Sequence, residues 1–141
     1  MSNTSKIESQ WILLENNRVK YTQSSLLNHF GFKHYFFGKS DLYNHPRDIA
    51  NVIDQRNFSI HYAKQIHGNK IIKASRTSLE NTEDADGVIS DDSKQTLWIC
   101  TADCIPLLFA DKASGLVAAT HAGWKGLAKN ILHETIKAFI S

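Results

Sequence analysis

At 141 residues, 42% of them hydrophobic, the chain has the length of one domain and the means to bury a core. Its formal net charge is only +2, and the basic residues are scattered, which argues against nucleic acid as a partner because that footprint needs a basic stripe. No apolar run approaches a membrane span, Met1–Gln10 has no apolar signal core, and Cys100 and Cys104 cannot make a disulfide framework, so the chain reads as a soluble protein of a reducing cytoplasm.

In chain order, Trp11–Glu15 is short and apolar, Asn16-Asn17 is a turn signal, and Arg18–Thr22 alternates, which predicts a hairpin over Trp11–Thr22. Ser24–Phe30 reads as a helical turn ended by Gly31, Lys33–Phe37 as an aromatic strand, and Ser40–Pro46 as loop. Ile49, Val52 and Ile53 fall at helical spacing within Arg47–Gln55. From residue 60 the pattern turns to strands. Tyr62–Ile66 leads into a turn at His67-Gly68-Asn69, and Lys70–Ala74 alternates. Leu79–Asp84 is polar loop, and Asp86-Gly87 precedes Val88-Ile89. Thr96–Thr101, Pro106–Ala110 and Leu116–Thr120 are nearly apolar throughout, which predicts strands buried on both faces beneath helices. Asp111–Gly115 joins the last two as a hairpin loop. Leu127–Ile140 is predicted to be one amphipathic helix, with Leu127, Ile131, Leu132, Ile136, Phe139 and Ile140 on its apolar face. Because it ends on that face, the helix is expected to have more to pack against, either its own sheet or a second copy in a homo-oligomer.

Chemistry concentrates in Thr101–Gly126. Cys104 stands where a buried strand meets a polar break, His121 ends the next strand, and His67 lies upstream in QIHG. Glycines 123 and 126 bracket the turn after His121, where they permit backbone conformations closed to other residues and close approach of a ligand. Two readings stay open on the residues alone. Either Cys104 and His121 join His67 on a metal, with zinc or copper suiting two imidazoles and a thiolate, or Cys104 is a nucleophile activated by His121 without metal. Asp86 and Asp103 are candidates for supporting the ligands or handling protons, Lys125 for holding an anion such as phosphate, and Trp124 for walling a base or phenol. Cys100 reads as core. His29, His34, His45, His61 and His133 have no ligand-like spacing and read as structural or solvated.

The motifs QIHG at 65–68, DADGVIS at 84–90, TADCIPLLFAD at 101–111 and HAGWKGL at 121–127 resemble the YfiH family, also called the laccase-domain or multicopper polyphenol oxidoreductase family and described as purine nucleoside phosphorylases. The resemblance covers roughly residues 62–131, and the order of TADC-x-P and HAGW-[KR]-G is highly specific. It implies an α+β fold, an αβα-type layered domain around a mixed sheet, with residues 1–141 forming one domain. It also implies metal ligation by His67, Cys104 and His121, zinc with copper as the alternative. The implied substrates are purine nucleoside and phosphate: phosphorolysis of adenosine, inosine and S-methyl-5′-thioadenosine, with some adenosine deamination. Asp103, Cys104 and His121 are then the catalytic candidates and Trp124 and Lys125 the substrate-binding ones. The chain departs from the family in two places. The glycine-rich loop that family members carry after the first aromatic strand is shortened or altered, since Phe36–Ser40 runs straight into 41–46. The family domain also continues well past the helix that follows HAGWKG, so the chain reads as C-terminally truncated. The alternatives are a copper-dependent polyphenol oxidase, a metal-free Cys–His hydrolase, and an inactive metal-binding remnant. If the metal reading holds, the three ligand atoms should converge within about 4 Å of one another.

Overall fold

The structure, a computed structural model, describes residues 9–40, 42–54 and 56–141. Most of the polar Met1–Gln10 segment, Asp41 of the expected loop and Gln55 of the expected helix lie outside them. Contacts divide the chain into two compact units, Met1–Asn57 and Phe58–Ser141.

In the first unit, β1 (Trp11–Asn16) and β2 (Val19–Ser24) pair antiparallel with Asn16 opposite Val19. The two-residue loop is therefore Asn17-Arg18, one position later than the expected turn. Both residues have positive φ, +49° and +67°, which is the backbone a tight hairpin requires to match strand twist. Helix α1 (Ser25–His29) follows and ends at Gly31, whose φ of +79° suits glycine. The aromatic stretch forms only a two-residue strand, β3 (Phe36–Phe37), on β2. His34 is structural, as expected: one ring nitrogen accepts from the Ser24 N–H and the other donates to the Phe32 carbonyl. Helix α2 (Pro46–Ile53) starts with proline in its first turn, where the missing N–H costs nothing.

The second unit holds β4 (Ser59–Tyr62), β5 (Ile71–Lys73), β6 (Gly87–Ile89), β7 (Gln95–Trp98), β8 (Ile105–Ala110) and β9 (Val117–Ala122), then α3 (Trp124–Ala128) and α4 (Ile131–Ile140). Strands β4 and β7 pair parallel. The other four form a mixed sheet in the order β5-β6-β9-β8, parallel between β5 and β6 and antiparallel elsewhere. Fold class is α+β, with a mixed sheet as expected. Ala63, Ile72, Ala74, Ala85 and Val88 form the core, with Leu97 packed against them. Helix α4 lies against β5, β6 and β9 and inserts Ile131 and Thr135.

Three expectations are corrected here. Strands β7 and β8 are half-buried, and β9 alone among the three is mostly buried, because β8 is the edge of the four-stranded sheet. The single helix over Leu127–Ile140 is two helices, separated at Asn130, whose φ of +61° lies in the left-handed region that asparagine tolerates. The break turns the apolar face: Ile131 is buried, whereas Leu132, Ile136 and Ile140 are exposed, the last two at 53% and 83%. Cys100 is exposed rather than core, because β7 ends at Trp98 and not at Thr101.

Candidate metal centre

A buried carboxylate builds the site. Asp86, 1% exposed, immediately precedes β6. Its Oδ1 accepts from the backbone N–H groups of Ile66 (3.2 Å) and Gly68 (2.8 Å), and its Oδ2 from the N–H of His67 (2.9 Å). Those donors lie in the turn that carries His67, so the carboxylate shapes the turn from inside. His67 itself has φ of +62°, a conformation that costs a non-glycine residue about 1–3 kcal/mol and persists where surroundings enforce it. The bond from its own N–H to Asp86 is one such enforcement.

Asp86 also reaches the second histidine. Gly87 pairs with Thr120 across β6 and β9, so Asp86 stands opposite His121, whose N–H donates to the Asp86 carbonyl at 2.7 Å. The His121 ring, 3% exposed, places Nδ1 2.8 Å from Asp86 Oδ2. A carboxylate only accepts, so Nδ1 carries the proton and Nε2 keeps its lone pair free for a ligand. A metal-ligating histidine is typically held in this way, its other nitrogen tied to a carboxylate that fixes tautomer and orientation.

Cys104 arrives on the neighbouring strand. Ile105 pairs with Ala122 at the start of β8, which brings the preceding Cys104 beside Gly123. The ligand atoms of His67, Cys104 and His121 lie within 4.8 Å of one another, and the two imidazoles meet edge to face with centroids 4.9 Å apart. Two ligands on one tetrahedral zinc sit about 3.4–3.6 Å apart, given Zn–N and Zn–S bonds of about 2.0–2.1 and 2.3 Å. The cluster, at up to 4.8 Å, is wider than the expected 4 Å.

Gly123 leaves the space between them. A Cβ at that position would stand 3.2 Å from Cys104 Sγ, 3.3 Å from His67 Cδ2 and 4.0 Å from His121 Cε1. Its φ is −79°, so of the two roles expected from sequence glycine supplies room for close approach and not an unusual backbone conformation. Gly126 serves closeness likewise: a Cβ there would meet the Gly68 carbonyl oxygen at 2.8 Å, so α3 rests directly on the His67 turn. Asn69 adds a bond from Nδ2 to the Lys129 carbonyl at 2.9 Å. An open cradle faced by a thiol and two imidazoles, one oriented by a carboxylate, fits zinc or copper and suits the harder magnesium or calcium poorly.

The other candidates stand at the rim. Asp103 is exposed on the loop before Cys104, outside the His–Cys–His cluster. Trp124 is 77% exposed at the start of α3, and Lys125 Nζ lies 5.5 Å from its ring centroid, a cation–π contact. Sequence reasoning left Asp86 open between a loop carboxylate and a supporting group, and missed Gln65. The Gln65 carboxamide bonds both backbone groups of Cys100 across 35 residues, which no local pattern signals.

A sequence profile of the family described as multi-copper polyphenol oxidoreductase laccase matches residues 41–141. The chain is 34% identical over 114 residues to the purine nucleoside phosphorylase slr1573 of Synechocystis sp., covering 77% of this chain and 43% of that one. It is 40% identical over 78 residues to a purine nucleoside phosphorylase of Haemophilus influenzae, covering 55% and 31%. Among solved structures, protein NMB0706 of Neisseria meningitidis aligns with a TM-score of 0.58 at 29% identity, over 91% of this chain and 56% of that one. YlmD of Geobacillus stearothermophilus aligns with a TM-score of 0.52 at 30% identity, over 60% and 34%. The chain thus spans less than half the length of these curated relatives.

Proposed function

The chain belongs to the multi-copper polyphenol oxidoreductase laccase family, and from that premise we propose that it is a zinc-dependent purine nucleoside phosphorylase-type enzyme with adenosine deaminase activity. The observation that carries this reading is the convergence of His67, Cys104 and His121 around the space left by Gly123. Curated relatives bearing the name purine nucleoside phosphorylase support the reaction class. The family match, over residues 41–141, runs across the boundary at Asn57, and residues 1–141 are read as one family domain.

In this reading His67, Cys104 and His121 hold the metal. When bound, zinc supplies Lewis acidity and makes water a nucleophile near neutral pH, which is the chemistry deamination needs. Asp86 keeps the proton on His121 Nδ1 and holds the His67 turn. The substrates are a purine nucleoside, such as adenosine, inosine or S-methyl-5′-thioadenosine, and phosphate. Phosphate oxygen bonds to C1′ as the N-glycosidic bond breaks, giving the sugar 1-phosphate and the free base. Lys125 attracts the anion by charge, Trp124 offers an aromatic face to the purine, and Asp103, beside Cys104, handles a proton from the rim.

A copper-dependent phenol oxidase needs several metals to couple single-electron steps to oxygen reduction, and the described residues supply one ligand cluster. A metal-free Cys–His hydrolase gives His67 no task, yet His67 faces the same space. We place the enzyme in the cytoplasm; among the described residues no helix is long and apolar enough to cross a membrane. The exposed Leu132, Ile136 and Ile140 stripe is assigned to contact with a second copy. The test of function is phosphate-dependent release of adenine from adenosine by the zinc-loaded protein. Loss of that activity in Cys104→Ala and His67→Ala is expected; adenine release that does not require phosphate, or that survives both substitutions, overturns the reading.

A further inference from the structure

Strands β4 and β7 run parallel as far as Tyr62 and Trp98, and there the backbone pairing ends. Beyond that point a side chain continues it. Gln65 Nε2 donates to the Cys100 carbonyl at 2.6 Å, and Gln65 Oε1 accepts from the Cys100 N–H at 2.8 Å. The single carboxamide thus satisfies both backbone groups of Cys100, which in a ladder would be shared between two peptide groups of the neighbouring strand.

The position of this clamp gives it a consequence for the metal site. Gln65 stands two residues before His67, in a turn that Asp86 fixes through Ile66, His67 and Gly68. Cys100 stands four residues before Cys104, and the next backbone anchor is Ile105, paired with Ala122. With the clamp, the unanchored span carrying the thiol is Thr101–Cys104. Without it, the span lengthens to Ile99–Cys104, held by Trp98 in the ladder with β4 at one end and by Ile105 at the other.

We propose that Gln65 is a positioning residue for Cys104: its carboxamide ties the thiol-bearing loop to the His67 turn and sets where the sulfur stands relative to the two imidazoles. The proposal rests on the reading of Cys104 as a metal ligand. Gln65→Met keeps the length of the side chain and removes both bonds. Gln65→Glu keeps an acceptor for the Cys100 N–H and loses the donor to its carbonyl.

Zinc affinity, measured by chelator competition on the whole chain, is expected to fall about tenfold in Gln65→Met, the order that two modest hydrogen bonds supply. Gln65→Glu should fall between. In a Cys104→Ala background, where only the weak affinity of the two imidazoles remains and is read by direct zinc titration, the same Gln65→Met change should alter it less than about twofold, since the ligand it positions is gone. An equal loss in both backgrounds overturns the proposal and makes Gln65 a general support of the fold. A second measurement needs no metal. In metal-free Cys100→Ser protein, which retains the backbone groups of residue 100, alkylation of Cys104 by iodoacetamide is expected to be several-fold faster with Gln65→Met. An unchanged rate overturns the proposal even where zinc binds. A wild-type chain that binds no zinc defeats the metal reading, and the alkylation rates still decide the role of Gln65.

Discussion

Replacing Asp86 by asparagine changes one atom and should be among the most damaging conservative substitutions in this chain. Oδ1 accepts from Ile66 and Gly68, and Oδ2 from His67 and His121. With the amide nitrogen in place of Oδ1, the Ile66 and Gly68 N–H groups lose their acceptor; in place of Oδ2, the His67 N–H loses its acceptor and His121 keeps a bond only by moving its proton to Nε2, so neither orientation restores the site. Hydrogen bonds to a charged group contribute about 1.5–3 kcal/mol each, so losing one or two costs about 1.5–6 kcal/mol. A domain's entire stability is about 5–15 kcal/mol. Urea unfolding of Asp86→Asn beside the wild type measures the loss. Asp103→Asn, exposed on its loop, is the control and should stay within about 0.5 kcal/mol. A loss below about 1 kcal/mol in Asp86→Asn would refute the view that this carboxylate organises the site from within. In the surviving folded fraction, nitrogen NMR should show that His121 no longer holds its proton uniquely on Nδ1.

Gly123→Ala should separate metal binding from folding. Its φ of −79° and ψ of 169° are open to alanine, so stability should change by less than about 1 kcal/mol, while zinc affinity in a chelator titration should fall at least tenfold as the Cβ enters the cradle. Unchanged affinity would place the ligand elsewhere. The Arg56 guanidinium beside Asp54 holds that carboxyl below its ordinary value of 3.8. Its contribution to stability is therefore complete above that value and fades as pH falls through the depressed folded value. The stability difference between wild type and Asp54→Asn should accordingly be larger at about pH 6 than at about pH 2; a difference that grows on acidification would reverse the sign. Ile136 and Ile140 left in water forgo up to about 1.5–3 kcal/mol of burial each. The protein should elute above its 15.9 kDa monomer mass, and Ile136→Glu should return it to the monomer position. A wild-type chain that elutes as a monomer would contradict that assignment.

Most strands and the three residues of the His–Cys–His cluster were legible in the sequence because each carries a local signal. Alternation and turn residues mark β1 and β2, an apolar run bounded by Asp111 and Gly115 marks the β8–β9 hairpin, and imidazole and thiol identify themselves by chemistry. What escaped is set by contacts between distant residues. The helix break at Asn130 was hidden because Leu127, Ile131 and Ile136 keep helical spacing across it. It arises because α3 must rest on the Gly68 carbonyl while α4 must insert Ile131 beside the sheet. The edge position of β8 leaves Ile105 half exposed, although the run from Pro106 onward reads as core. Cys100 was misread for the same reason: its apolar neighbours suggested a longer strand, and the backbone ladder had already ended at Trp98. Asp86 was visible as a candidate, but the turn it organises lies 18 to 20 residues away and the histidine it orients lies 35 away.

The central claim is that His67, Cys104 and His121 hold one metal ion between them, and metal analysis of the chain purified without added metal addresses it most directly. About one zinc per chain is expected in the wild type, with near-complete loss in His67→Ala, Cys104→Ala and His121→Ala proteins that remain folded by circular dichroism. Metal retained at the wild-type level in any one of those variants would contradict the claim.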